Sequence, residues 1–293
     1  MQSVPYKKIR KYLGKVRKCS VCGNNSNKRK KSIWARDGYF KAIQCEKCNF
    51  ISIDPCISEI GLRYYYQTNI ERRLLQKQKT RLRNIQYFHD RDFITQYLKK
   101  GRILDVGCGG GFFLSKFSSK YEKIGLDLDK LSTEIGQKKF KIKIINERLG
   151  EENLPKHTFD LIVFRGVIEH LYEPKKAIER AYELLKKNGY LYFCATPNVE
   201  SFPAYLYRSK WNLWHPVQHI NMFTVNTILK MCGVKKFKKI DEQYEYLKTP
   251  YADPIKDYQK IKKFIIEKGK NKIKNSVSPP FWGNMISLIL QKK

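Results

Sequence analysis

Acidic side chains are scarce in this chain. Its 293 residues carry 27 Asp and Glu against 59 Lys and Arg, for a formal net charge of +32. Such an imbalance points first to a polyanion, above all nucleic acid. Arginine is scarce as well. It supplies 15 of the basic residues and lysine 44, alongside abundant Ile, Asn, Tyr and Phe. That usage is what an AT-rich genome produces, and the lysines are spread along the chain. The charge is therefore read chiefly as compositional bias, with some attraction to anionic substrates either way. Long apolar runs are missing, so no membrane span is expected. The N-terminal stretch MQSVPYKKIRKYLGKVRKC is basic but lacks the apolar centre of a signal peptide, which predicts a cytoplasmic protein. An apolar content of 42% and this length predict a main domain plus a smaller one.

Of eight cysteines, four form two C-x-x-C pairs, Cys19/Cys22 and Cys45/Cys48, separated by 22 residues. Each pair suits a tight turn that points two thiolates at one tetrahedral ion. Disulfides are disfavoured in a cytoplasmic chain. The pattern predicts a zinc ribbon over residues 1–57. Four cysteine ligands leave no open position, so the zinc is expected to be structural. Cys56, Cys108, Cys194 and Cys232 are read as small buried residues.

Between the pairs, SIWARDGYFKAIQ predicts a hairpin. Residues 58–98 have a helical pattern and form an expected linker or lid, with Leu74, Leu75, Leu82, Ile85, Phe88, Phe93, Ile94 and Leu98 on a broken apolar stripe. From residue 99 to 293 the texture changes. RILDV leads to an expected helix FFLSKFSS, KIGLDL to LSTEIGQKK, and KIKII to a loop and FDLIVFR. The helix PKKAIERAYELLKK is expected to place Ala177, Ala181, Leu184 and Leu185 on one face and to stop at Asn188–Gly189, before the strand YLYFCAT. This alternation predicts an α/β fold with a doubly wound parallel sheet.

The stretch RILDVGCGGGFFL ends a predicted strand in an acid and then bares the backbone. Gly107, Gly109 and Gly111 allow a sharp turn and close approach to a ligand. A dinucleotide fold would place its third glycine at position 112, which is Phe112 here. The motif LDVGCGGG, with Asp127 ending the next strand in IGLDLD, resembles the class I S-adenosylmethionine-dependent methyltransferases. That resemblance implies a Rossmann-like seven-stranded sheet. It implies that Asp105, Gly107, Cys108, Gly109 and Gly111 hold the cofactor's methionine end, and that Asp127 and Leu128 hold the ribose region. ERLGEENLP, with Leu149, would line the adenine. FDLIVFRGVIEHLYEP would bring Arg165 and Gly166 near the reacting methyl. Its EHL-x-x-P portion is similar to a family signature containing Glu169 and His170.

WNLWHPVQHINMFT follows the predicted fifth strand and resembles an H-x-x-x-F-T segment of a family subgroup, with His219 and Phe223 matching. It is expected to cross the acceptor side, its tryptophans and Phe223 forming flat walls. Asn221 and Thr224 are alternatively caps of the helix that follows. A neutral histidine suits proton removal from a hydroxyl. His219 is the first expected base and His170 the second; Glu169 is a further catalytic candidate, and Glu169 and His170 are alternatively read as orienting their loop and capping the helix that follows. GNMISLILQKK looks like the family's last antiparallel strand. The paired cysteines, Tyr64–Tyr66 and the cofactor domain resemble a bacterial subgroup associated with surface-polysaccharide or natural-product pathways. A small acceptor, most readily a sugar or nucleotide-sugar intermediate, is therefore expected. The alternative is an RNA acceptor held by the ribbon and the basic charge.

Overall fold

The computed structural model of the protein describes residues 10–14, 17–25, 34–36, 40–68, 70–247, 249, 251–272 and 277–293. Residues 1–9, and Ser32, Ile33 and Asp37–Tyr39 of the expected hairpin, lie outside these. So do the side chains of Leu74, Leu75 and Leu82.

The main sheet contains β4 (Gly101–Val106), β5 (Tyr121–Leu126), β6 (Lys143–Ile145), β7 (Phe159–Arg165), β8 (Leu185–Pro197), β10 (Phe237–Gln243) and β11 (Met285–Lys292). Its order is β10-β11-β8-β7-β4-β5-β6. The run from β8 to β6 is parallel. Only β11 is reversed, antiparallel to both β8 and β10. This is the Rossmann-like, doubly wound seven-stranded sheet the sequence predicts. The last strand is also where GNMISLILQKK placed it.

Side-chain alternation builds both faces of the sheet. Ile103, Leu161, Val163, Tyr192 and Ile289 face one way and pack with Phe93 and Ile94 of α2 (Ile70–Thr95). Leu104, Val106, Ile162, Phe164 and Phe193 face the other. They meet Ile178, Ala181 and Leu184 of α4 (Pro174–Leu184) and Ile228 and Met231 of α6 (Val225–Cys232). Helix α1 (Glu59–Thr68) precedes α2, and α3 (Lys130–Phe140) joins β5 to β6. Ile85 and Phe88 of the expected stripe are exposed, so α2 buries mainly its C-terminal end.

Two local expectations need correction. FFLSKFSS makes only one 3-10 turn, Leu114–Lys116. Phe113, Leu114 and Phe117 are all buried, and the Ser115 hydroxyl donates to the Phe112 carbonyl at 2.7 Å, a local bond that competes with a continuing helix. Helix α4 ends at Leu184 rather than at Asn188–Gly189. Its carbonyls at Glu183 and Leu184 are taken by the backbone N–H groups of His157 and Thr158. The chain passes straight into β8, where Asn188, at φ 63°, sits in an irregularity between the Phe159–Leu185 and Leu161–Tyr190 pairings.

The cysteine-bearing segment is bonded into the rest of the molecule. Strands β1 (Trp34–Arg36), β2 (Phe40–Gln44) and β3 (Ile51–Asp54) form an antiparallel sheet, confirming a hairpin between the cysteine pairs. The fourth strand is β9 (Asn221–Met222), which pairs with β3. This small sheet joins the residues before 57 to the segment carrying His219. Phe50 lies against Phe223, with ring centroids 5.3 Å apart, and both are fully buried.

Candidate active site

The parallel strands β4, β5 and β7 bring their carboxyl ends together, where ligands bind in such sheets. The first turn there is made by glycines with positive φ: 72° at Gly107, 54° at Gly109 and 69° at Gly111. These are left-handed conformations that other residues adopt at a cost. A Cβ on Gly107 would stand 2.6 Å from the Val167 side chain, so Gly107 is required by packing as well. A Cβ on Gly109 would meet nothing within 4 Å among the described residues, so the backbone there borders open space.

Two carboxylates flank that space. Asp105 is 2% exposed and its Oδ1 has no hydrogen-bond partner among the described residues. Burial pushes its pKa up to about 8, with Arg165 opposing and Asp127 adding to the rise. Such an orphaned acid suits a cationic ligand group. Asp127 Oδ2 accepts from the Gly109 N–H at 2.7 Å and Oδ1 from the Asp129 N–H at 2.8 Å. It thereby ties the end of β5 to the glycine turn. Leu128, next to it, is exposed. Cys108 is half-buried, and burial together with Asp105 and Asp127 raises its thiol pKa, so it is no nucleophile.

The loop 147–155 is pinned at both ends. Arg180 Nε donates to the buried Glu152 at 2.8 Å, and Arg148 bonds Glu59 of α1. Leu149 is half-buried against the core. Across the cleft, Arg165 does not project toward open space. Its Nε donates to Asp90 Oδ2 of α2 at 2.8 Å, and its guanidinium lies 4.4 Å from the Tyr87 ring centroid. Burial disfavours the charged guanidinium, but Asp90 outweighs it and raises the Arg165 pKa. Arg165 thus clamps α2 over the sheet. Sequence reasoning missed Asp90 and Tyr87, because no motif marks them on a helix of ordinary polarity.

Beyond Gly166, at φ 60°, the chain makes a 3-10 turn, Ile168–His170. Glu169 is 2% exposed, its Oε2 has no hydrogen-bond partner among the described residues, and burial pushes its pKa up to about 8 against the pull of its own backbone N–H and of Arg165. His170 Nε2 stands 3.7 Å from Glu169 Oε1. His170 Nδ1 lies 2.9 Å from the Gln218 carbonyl, and His219 Nδ1 lies 2.8 Å from the Leu213 carbonyl. A carbonyl only accepts, so in both rings Nδ1 carries the proton and a neutral ring keeps its lone pair on Nε2. The rings are 4.8 Å apart, and one donor atom from each of Glu169, His170 and His219 lies within 4.8 Å of the others. The sequence separates His219 from His170 by 49 positions, yet the fold makes one cluster of them.

What holds the cluster together comes from the N-terminal segment. The Arg17 guanidinium donates to the carbonyls of Tyr172 and Ile220, at 2.8 and 3.2 Å, and lies 5.0 Å from the Tyr172 ring centroid. Asn221 Nδ2 donates to the Leu171 carbonyl at 2.7 Å. Asn221 is therefore a tie to the Glu169 loop and not a helix cap. Thr224 is the cap, in a reciprocal capping box with Thr227. Arg17, one of many basic residues near the N-terminus, carried no signal in the sequence.

The expected acceptor walls also need correction. Trp211 and Trp214 are 1% and 0% exposed and pack with Phe40, Ile53 and Met222, while Phe223 belongs to the main core. The small sheet closes over them, so they support the segment from beneath. Cys19 and Cys48 approach to 3.4 Å between sulfurs, and Cys22 and Cys45 to 3.6 Å. All four sulfurs lie within 4.8 Å of one another.

Residues 59–235 match a family model described as a methyltransferase domain. An uncharacterized protein of Rickettsia prowazekii is 31% identical over 180 residues, 56% of this chain and 68% of that one. The ubiquinone biosynthesis O-methyltransferase of Vibrio cholerae is 31% identical over 111 residues, 34% of this chain and 44% of that enzyme. Among solved structures, a SAM-dependent methyltransferase of Thermotoga maritima covers 79% of this chain and 100% of its own, with a TM-score of 0.55 and 18% identity. One from Archaeoglobus fulgidus covers 73% and 97%, with a TM-score of 0.50 and 17% identity. At such identities the likeness concerns the fold. The family match adds the activity, and the chain belongs to the methyltransferase-domain family as an S-adenosylmethionine-dependent methyltransferase.

Proposed function

We propose that this enzyme methylates a hydroxyl of a small, oxygen-rich acceptor, of the sugar or nucleotide-sugar class used in surface-polysaccharide synthesis. The observation that supports the reading is the contact between two groups of residues at the carboxyl ends of β4 and β7. A Cβ on Gly107 would stand 2.6 Å from Val167, so the glycine turn packs against the loop that carries Glu169 and His170. The O-methyltransferase name of the Vibrio relative supports oxygen as the accepting atom. The net charge of +32 favours a phosphorylated acceptor over a neutral one.

Bound in the cleft, the cofactor supplies an electrophilic methyl group on a sulfonium. Asp105, buried and with Oδ1 unpartnered among the described residues, would hold its ammonium group. Asp127, already oriented by Gly109 and Asp129, would accept from the ribose hydroxyls. Gly107, Cys108, Gly109 and Gly111 offer backbone to the methionine end. Leu149 would line the adenine and Leu128 the ribose region. Gly166 leaves room at the end of β7, and Arg165 keeps α2 closed, excluding water. Alignment of acceptor and methyl supplies roughly 7–11 kcal/mol in favourable systems. The acceptor's proton leaves at the histidine cluster, His219 being the first choice of base and His170 the second.

The four cysteines suit structural zinc. Thiolates at about 2.3 Å from a tetrahedral ion stand about 3.8 Å apart, close to the sulfur spacing here. Zinc would thereby stiffen the sheet that holds β9 and Arg17. We read the enzyme as cytoplasmic; among the described residues no helix is long and apolar enough to cross a membrane.

The test is methyl transfer from labelled cofactor to a panel of sugar phosphates and nucleotide sugars, beside total RNA. Label in the sugars, at rates insensitive to moderate salt, supports the reading. Label in RNA alone, with steep salt dependence, overturns it in favour of an RNA methyltransferase.

A further inference from the structure

The geometry points to a second metal centre: Glu169, His170 and His219 bind a divalent transition-metal ion at the acceptor side of the cleft. Two imidazoles and one carboxylate are a ligand set for zinc, iron or manganese, not for calcium or magnesium. Three observations converge on the site. The three donor atoms already lie within 4.8 Å of one another, and an ion with bonds of about 2.1 Å needs them about 3–3.4 Å apart. Small side-chain rotations close that gap. Both rings are held by carbonyls at Nδ1, the arrangement that orients a ligating histidine and fixes its lone pair on Nε2. Glu169 is buried with Oε2 unpartnered among the described residues, which in a protein interior calls for a proton or a cation.

The ligands come from two chain segments braced from outside by Arg17 and Asn221, so the site is built rather than a chance meeting of surface groups. Three protein ligands leave open positions, as in catalytic rather than structural centres. Those positions would take the oxygens of the acceptor. The inference deepens the assignment of this cluster to the acceptor, and the same Nε2 atoms serve as proton acceptors when no ion is bound.

Metal-free, full-length protein titrated with cobalt(II) tests this without turnover. Four thiolates give intense sulfur-to-cobalt charge-transfer bands. A nitrogen–oxygen site gives weak ligand-field bands only. Two equivalents with these two signatures are expected, and E169Q and H170N should each lose the second while keeping the first. Two variants guard against one that fails to fold. Saturation at one equivalent with thiolate bands alone overturns the proposal, as does a second equivalent that survives in both variants. A cobalt-loaded protein inactive on every sugar sinks the acceptor assignment and leaves the metal site standing.

Discussion

The two sides of the cleft are built differently. The cofactor side is local. Asp105, the glycine turn and Asp127 lie within 23 consecutive residues, on two adjacent parallel strands whose ends must meet. The acceptor side is assembled from three distant segments: residues near Arg17, the loop after β7, and the stretch before β9. Nothing in the local sequence forces these to meet. The four-stranded sheet does so, by pairing β3 with β9. One side can therefore be damaged by a single backbone change, while the other depends on long-range bracing.

The largest expected effect separates the two sides by chemistry. His219→Ala should lower turnover by roughly 10²–10⁴-fold with cofactor affinity nearly unchanged. Parallel assays of rate and cofactor binding check this. Equal losses in both would mean that the sides are one energetic unit.

Asp90→Ala breaks the brace of α2 on the cofactor side. It leaves the 16%-exposed Arg165 side chain without its ion-pair partner. The expected loss is about 3–5 kcal/mol of stability, read by urea unfolding. A change under about 1 kcal/mol would show that α2 is held by packing alone.

Two glycine variants sharpen the contrast within one turn. Gly107→Ala should destabilise the fold by about 1–3 kcal/mol, because the new methyl meets Val167 as well as a positive φ. Gly109→Ala should cost about 1–2 kcal/mol of backbone strain and weaken cofactor binding, since its Cβ enters the open space. If the two variants bind cofactor equally well, the space beside Gly109 is not the cofactor's.

The mildest effect is a proton. Asp105 titrates at about 8, above its ordinary range, because it is buried. The ligand-free native state holds this proton where the unfolded state has lost it. Stability therefore falls as pH rises from the usual carboxylate value toward about 8. Binding an ammonium group at pH near 7 should release that proton, and affinity should rise toward pH about 8. Calorimetry in buffers of different ionisation enthalpy detects the release. Binding heats independent of buffer would place the ammonium elsewhere.

The same contrast explains what could be read from the sequence. RILDV, KIGLDL and FDLIVFR are short, nearly continuous apolar runs, and each is a strand buried on both faces of the parallel sheet. The glycine turn and both aspartates were legible because their spacing is a local requirement. Glu169, His170 and His219 were recognisable one by one, but their meeting was not. Asp90 and Arg17 were invisible, since one carboxylate on a polar helix and one arginine among 59 basic residues carry no pattern. Trp211 and Trp214 misled because aromatic residues near histidines read as a binding wall. Here they fill the core between two sheets that only the tertiary structure brings together.

Calorimetric titration of S-adenosylmethionine into wild-type protein and Asp127→Ala is the most direct test of the cofactor side. Asp127 links the glycine turn to the ribose position in this account. Wild-type binding, weakened at least tenfold in the variant, or about 1.4 kcal/mol, is expected with the fold intact by circular dichroism. Unchanged affinity, or preferential binding of NAD, would contradict it.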